Sequence, residues 1–151
     1  MTKLIAVTNQ KGGVGKTTTA INLAAALALD GRNVLLVDCD AQGNATSGVG
    51  MKGERAPGGT IYEAITDPGA DVRQFILHTS IDRLSLIPAT RDLSGAEIEL
   101  ISVEDRERRL KNLLAPLGGE FDFIIIDSPP SLGLLTLNAL VAADKVLIPL
   151  H

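Results

Sequence analysis

Apolar residues gather in short, nearly continuous runs, separated by stretches in which they recur every three or four positions. The runs are Leu4-Ile5-Ala6-Val7, Val34-Leu35-Leu36-Val37, Leu84-Ser85-Leu86-Ile87, Phe121-Asp122-Phe123-Ile124-Ile125-Ile126 and Val146-Leu147-Ile148. Runs of this length predict strands buried on both faces, as in a parallel sheet. Between them the spacing predicts a helix over residues 19–29, closed by Asp30-Gly31, a short one over 60–65 that stops before Pro68, and one over 132–142. Ile21, Leu23, Ala24, Leu27 and Ala28 give the first of these a face to lay on a sheet. Ser94-Gly95-Ala96-Glu97 has capping-box spacing and predicts a helix carrying Ile98 and Ile101. Residues 102–105 predict the opening of another, with Leu110, Leu113, Leu114 and Leu117 inward and Glu104–Arg108 and Asp105–Arg109 paired on its wet side. The glycine-rich stretch 50–59 reads as a mobile loop, because the pieces on either side are too small to fold alone. Strands alternating with helices predict a three-layer α/β/α domain over residues 1–151, built on a mainly parallel sheet of five strands.

Composition narrows the class. A hydrophobic share of 45% and a charged share of 21% belong to a globular chain with a real core. No apolar run is long enough to span a bilayer, and the chain enters its first strand without a leader. The single Cys39 excludes an internal disulfide, fits a reducing compartment, and cannot build a multi-cysteine metal or iron–sulfur site. A net charge of −4 leaves no electrostatic footprint for nucleic acid in these 151 residues. His78 and His151 have no partners at metal-ligand spacing.

Chemistry concentrates where the runs end. After the first strand comes Asn9-Gln10-Lys11-Gly12-Gly13-Val14-Gly15-Lys16-Thr17-Thr18, and then a helix. Glycines let successive backbone N–H groups turn toward an anion, and the helix N-terminus adds its dipole. Lys16 can neutralise outer phosphates and the Thr17 hydroxyl can ligate Mg²⁺, so the stretch reads as a phosphate-binding loop. The second strand ends in Asp38 and leads into a polar, glycine-rich segment containing Asp40. Beside a phosphate loop that segment reads as a switch sensing the terminal phosphate. The fourth strand ends in Asp127, where a phosphate-loop protein holds Mg²⁺, before Ser128-Pro129-Pro130 forces a turn. Ligands of such sheets sit beyond the carboxyl ends of the strands, where all three segments lie. Cys39, between two aspartates, is expected to have a raised thiol pKa and low reactivity.

Lys11-Gly12-Gly13-Val14-Gly15-Lys16-Thr17-Thr18 resembles the deviant Walker A box of the ParA/MinD family of P-loop ATPases. Asp38-Cys39-Asp40-Ala41-Gln42-Gly43-Asn44 resembles the first switch of its Soj-like partitioning branch, with Ala41 where that branch usually has Pro. The segment from Ile126-Asp127-Ser128-Pro129-Pro130 onward is similar to the family's Walker B strand and second switch. The likeness runs from Leu4 to Leu150. It implies a P-loop NTPase fold of strand order 3-2-4-1-5, cut after the fifth strand, whose exposed edge would be marginal in stability. It implies ATP and Mg²⁺ as cofactors, slow ATP hydrolysis, an ATP-dependent homodimer and a ParB-like centromere-binding partner. It further implies a cytoplasmic, nucleoid-associated protein of chromosome or plasmid partitioning, touching DNA non-specifically through a C-terminal part outside this chain. By the same resemblance residues 11–18 bind nucleotide, and Lys11 reaches the nucleotide of a partner subunit. Lys11, Lys16 and Asp40 serve catalysis, and Thr17, Asp40 and Asp127 the metal. Two alternatives stay open: a MinD-like membrane switch, whose first switch lacks the Gln42-Gly43-Asn44 sequence, and an inactive nucleotide-binding remnant. An iron–sulfur carrier related to nitrogenase iron proteins would need more cysteines than Cys39.

Overall fold

The computed structural model describes residues 1–9 and 14–150. A single sheet runs through it. Its strands are β1 (Lys3–Val7), β2 (Val34–Asp38), β3 (Leu77–His78), β4 (Leu84–Ile87), β5 (Phe123–Asp127) and β6 (Lys145–Leu147). The spatial order is β3-β4-β2-β5-β1-β6, and every pairing is parallel except the antiparallel β3–β4 edge. Without β3 this is the 3-2-4-1-5 order expected above. The added sixth strand is two residues long and lies against Leu86 and Ser85, too short for any hydrophobic pattern to reveal.

The helices are α1 (Val14–Leu29), α2 (Asn44–Gly48), α3 (Ile61–Thr66), α4 (Ala96–Glu99), α5 (Arg109–Leu114) and α6 (Leu134–Ala142). They cover both faces. On one, Ala20, Ala24 and Ala28 of α1 pack with Val34 and Leu36 of β2, Leu84 and Leu86 of β4, and Ile125 of β5. On the other, Leu35 and Val37 of β2 and Ile124 and Ile126 of β5 meet Ile61, Leu110, Leu114, Leu135 and Ala139. The alternation of Val34/Leu36 against Leu35/Val37 is the period-two pleat of a strand buried on both sides. Three alanines at four-residue spacing let α1 approach the sheet closely.

Three local expectations fail. Ser94 does not cap a helix: its hydroxyl donates to Arg91 O, 3.0 Å away, and residues 91–95 form a tight 3₁₀ turn ahead of the four-residue α4. Ala96 and Leu100 are the inward residues of this region, whereas Ile98 and Ile101 are exposed. The pairs Glu104–Arg108 and Asp105–Arg109 are not among the ion pairs of the described residues, because α5 starts only at Arg109 and Asp105 takes a left-handed φ of 57°. Arg109 instead donates to Ile65 O at 3.1 Å and Arg106 to Ile101 O at 3.1 Å. The short helix after Thr60 does form, with a complete capping box between Thr60 and Glu63. At the far edge of the sheet Val146, Leu147, Ile148 and Leu150 are exposed.

Candidate functional site

The carboxyl ends of β1, β5 and β2 lie side by side, with Val7 level with Asp127 and Asp127 level with Asp38. α1 begins above this edge at Val14, earlier than the apolar spacing indicated, and so carries Lys16 and Thr17 in its first turn. Both side chains turn inward. Lys16, only 1% exposed, forms an ion pair through Nζ with Oδ1 of the fully buried Asp127. The Thr17 hydroxyl donates to Asp127 Oδ2 at 3.1 Å. A lysine buried to this extent in a short helix turn is there for its charge, since burial without a partner would cost several kcal/mol. Gly15 accepts from the Thr19 hydroxyl at 2.8 Å, which stiffens the same turn. Lys11, Gly12 and Gly13 fall outside the described residues, as does the side chain of Val14. Thr18 points outward.

Asp38 is fully buried and completely bonded. Its Oδ2 accepts from the Thr46 backbone N–H at 2.9 Å and from the Thr46 hydroxyl at 2.7 Å, and its Oδ1 accepts from the Asp40 N–H at 3.1 Å. Burial pushes its carboxyl up to about 7 against the pull of the Thr46 hydroxyl, with Asp127 adding a further push. Burial also raises the Asp127 carboxyl, with Lys16 and Thr17 opposing. Cys39 is wholly buried, and its thiol pKa is driven up first by burial and then by Asp38, so burial does more than the neighbouring aspartates credited in the sequence. Asp40, 6% exposed, accepts from the Gln42 N–H at 3.0 Å within its own loop. The structure thus brings Lys16, Thr17 and Asp127 into contact, while Asp40 stays bonded in its loop, near enough to Asp127 to push that carboxyl up.

The donor set suits a magnesium–phosphate ligand. Thr17 and Asp127 offer hard oxygens on adjacent elements, and Lys16 is an ammonium at a helix N-terminus. Among the described residues no three His, Cys, Asp or Glu side chains could hold one ion together. A metal held here would therefore take few protein ligands, the usual state of Mg²⁺ beside phosphates. Lys16 meets Asp127 directly, and Asp38 and Asp40 lie within electrostatic reach of Asp127, so a divalent cation at this edge would offset carboxylate charge. Sequence reasoning did not find Thr46, which anchors Asp38, or Ser128, whose hydroxyl donates to Val7 O at 2.8 Å and ties the loop after β5 to β1.

A family model described as an AAA domain matches residues 2–151. The chain belongs to this family, on its ParA/Soj branch. It is 57% identical over 149 residues to the chromosome partitioning protein ParA of Myxococcus xanthus, covering 99% of this chain and 52% of that protein. It is 55% identical over 151 residues to the sporulation initiation inhibitor protein Soj of Bacillus subtilis, covering 100% of this chain and 59% of the relative. Thus the chain spans between 52% and 59% of the length of these two relatives. Among solved structures, a Mycobacterium smegmatis protein named cobyrinic acid a,c-diamide synthase, with bound ADP and magnesium, superposes with a TM-score of 0.93 at 46% identity, over 99% of this chain and 60% of that one. The same protein has been solved with an ATP analog and magnesium. Among the described residues no helix is long and apolar enough to cross a membrane.

Proposed function

We propose that the chain is the nucleotide-binding part of a ParA/Soj-type partitioning ATPase. The observation that carries this reading is the buried contact of Lys16 and Thr17 with Asp127 at the start of α1. Bound Mg²⁺ would supply positive charge beside the phosphate that is transferred. Thr17 and Asp127 are the side chains to hold it, and Lys16 exchanges Asp127 for phosphate oxygens. Asp40, in the loop after β2, would orient the attacking water and help to hold the metal. Lys11 and the backbone of residues 12–18 complete the nucleotide site, with Lys11 reaching across an ATP-dependent homodimer. Dimer, ParB-like partner, nucleoid DNA and the choice between chromosome and plasmid are parts of this proposal, supported by the names of the relatives and by this chain's own resemblance to the family's motifs.

The test is phosphate release from Mg-ATP with no other substrate present, together with sedimentation in Mg-ATP. Slow release and a nucleotide-dependent dimer are expected, and Lys11→Ala should bind Mg-ATP while remaining monomeric. The name of the mycobacterial structure points to amide formation instead. Such an enzyme would turn over ATP only with an acid to amidate, so turnover confined to added cobyrinic acid would favour that second reading.

A further inference from the structure

Residues 89–99 leave β4 at the carboxyl edge and cross to the far side of the site. Leu93 and Ala96 are fully buried and Ala89 is 3% exposed, so the segment is keyed into the core. It is fastened at both ends to helices that follow the loops around the candidate site.

At its start, Ala89 N–H donates to the Thr46 hydroxyl at 3.0 Å, and that hydroxyl donates to Asp38 Oδ2 at 2.7 Å. The approach is close: Gly43 takes φ 66°, and a Cβ there would lie 3.1 Å from Ala89 O. At its end, Glu97 accepts from the N–H groups of Leu134 at 2.7 Å and Leu135 at 3.0 Å. The N-cap residue of α6 is Gly133, which has no side chain to offer. Glu97 therefore does from another element what Ser, Thr or Asp does at an ordinary helix start, and its charge faces the positive end of the helix. Again a glycine permits it, since a Cβ on Gly133 would sit 2.6 Å from Glu97 Oε1. The loop thus held runs from Asp127 to α6.

We propose that residues 89–99 form a strap that couples α2, which follows the loop after β2, to the start of α6, which follows the loop after β5, with Thr46 and Glu97 as its two fastenings. Neither end can shift without loading the other. Glu97 is accordingly a positioning residue: it sets the path that leaves Asp127, and through Ala89 it answers to the loop that carries Asp40. The coupling belongs to the fold itself; only its use in signalling nucleotide state rests on the function proposed above.

Amide hydrogen exchange, followed residue by residue by NMR on the whole chain without nucleotide, decides the coupling. Thr46→Val removes the first fastening and should speed exchange at Leu134 and Leu135 by about tenfold or more relative to Ile125, the loss of one such bond expressed as a ratio. Thr46→Ser keeps the hydroxyl and should restore the wild-type rates. Gly133→Ala displaces the Glu97 carboxylate without altering it and should speed exchange at Thr46 and Ala89, which gives an independent arm if Thr46→Val folds poorly. Effects confined to the mutated end in both arms would overturn the strap. Adding Mg-ATP to the wild-type chain is then expected to change protection at residues 43–46, 89–97 and 128–135 together. A response at one end alone would also overturn the strap. No response anywhere would count against the nucleotide site, while the nucleotide-free arms would still decide the coupling.

Discussion

Thr46→Val puts the largest stake on a residue with no visible chemistry of its own. Thr46 is 1% exposed, and its hydroxyl both donates to Asp38 at 2.7 Å and accepts from Ala89 N–H at 3.0 Å. Valine fills the same space, so no cavity opens and the change removes only polar contacts. A hydrogen bond to a charged group contributes roughly 1.5–3 kcal/mol, and a buried N–H left without a partner costs about 1–3 kcal/mol. Because the two share one atom, a combined loss of about 3–4 kcal/mol is expected at pH 9, a large part of a typical stability of about 5–15 kcal/mol. Acidity adds a sign. Burial pushes the folded Asp38 carboxyl up to about 7, from an ordinary value of 3.8. Its contribution to stability is therefore fully present below about pH 4 and is lost as pH rises through about 7. The Thr46 hydroxyl bond holds that pKa down, so the variant moves it further up and goes on losing stability above pH 7, where wild type has levelled off. Urea denaturation at pH 6 and pH 9 reads this directly. The gap between variant and wild type should widen by about 1.5–3 kcal/mol between the two, and Thr46→Ser should close most of it. A gap under about 1 kcal/mol at pH 9, or one that does not widen, refutes the reasoning.

Other consequences are more local. Asp40→Ala should bind Mg-ATP within a few-fold of wild type yet lose about 10²-fold or more in phosphate release, since a carboxylate positioned over the attacking water acts on the chemical step; unimpaired release would remove Asp40 from catalysis. Cys39, buried and held in its thiol form, should react with a thiol reagent only as fast as the chain unfolds, and prompt labelling of the folded chain would contradict its burial. Glu97→Gln should bind Mg-ATP as wild type does and lower the melting temperature by a few degrees through the weakened α6 cap, and an unchanged melting temperature would remove the cap from the account.

The centre of the sheet was legible because β2, β4 and β5 are buried on both faces and therefore appear as short, mostly apolar runs. Val34 to Asp38 and Phe123 to Asp127 show the rule at its clearest: five residues, an apolar body, and a carboxylate at the edge where ligands sit. Lys16 and Thr17 were legible from glycine spacing, although their burial against Asp127 was not, because a loop motif carries no information about what its side chains touch. The misses share a cause. Ser94-Gly95-Ala96-Glu97 has the letters of a cap, but Glu97 caps α6, 37 residues further on at Leu134. Thr46 looks like any residue of a polar loop until Asp38 and Ala89 are seen on either side of it. Long-range polar fastenings depend on which loops the topology brings together, and periodicity along one segment cannot express that.

Lys16, Thr17 and Asp127 are proposed to form a magnesium–nucleotide site. Calorimetric titration of the chain with ATP, with and without Mg²⁺, tests it most directly, alongside Lys16→Ala and Thr17→Val. Expected are saturable binding that strengthens with Mg²⁺, a loss of about 10²–10³-fold for Lys16→Ala from removing the cation of a buried pair, and loss of the Mg²⁺ dependence for Thr17→Val. Binding that is absent in the wild-type chain, or that survives Lys16→Ala unchanged, would contradict it.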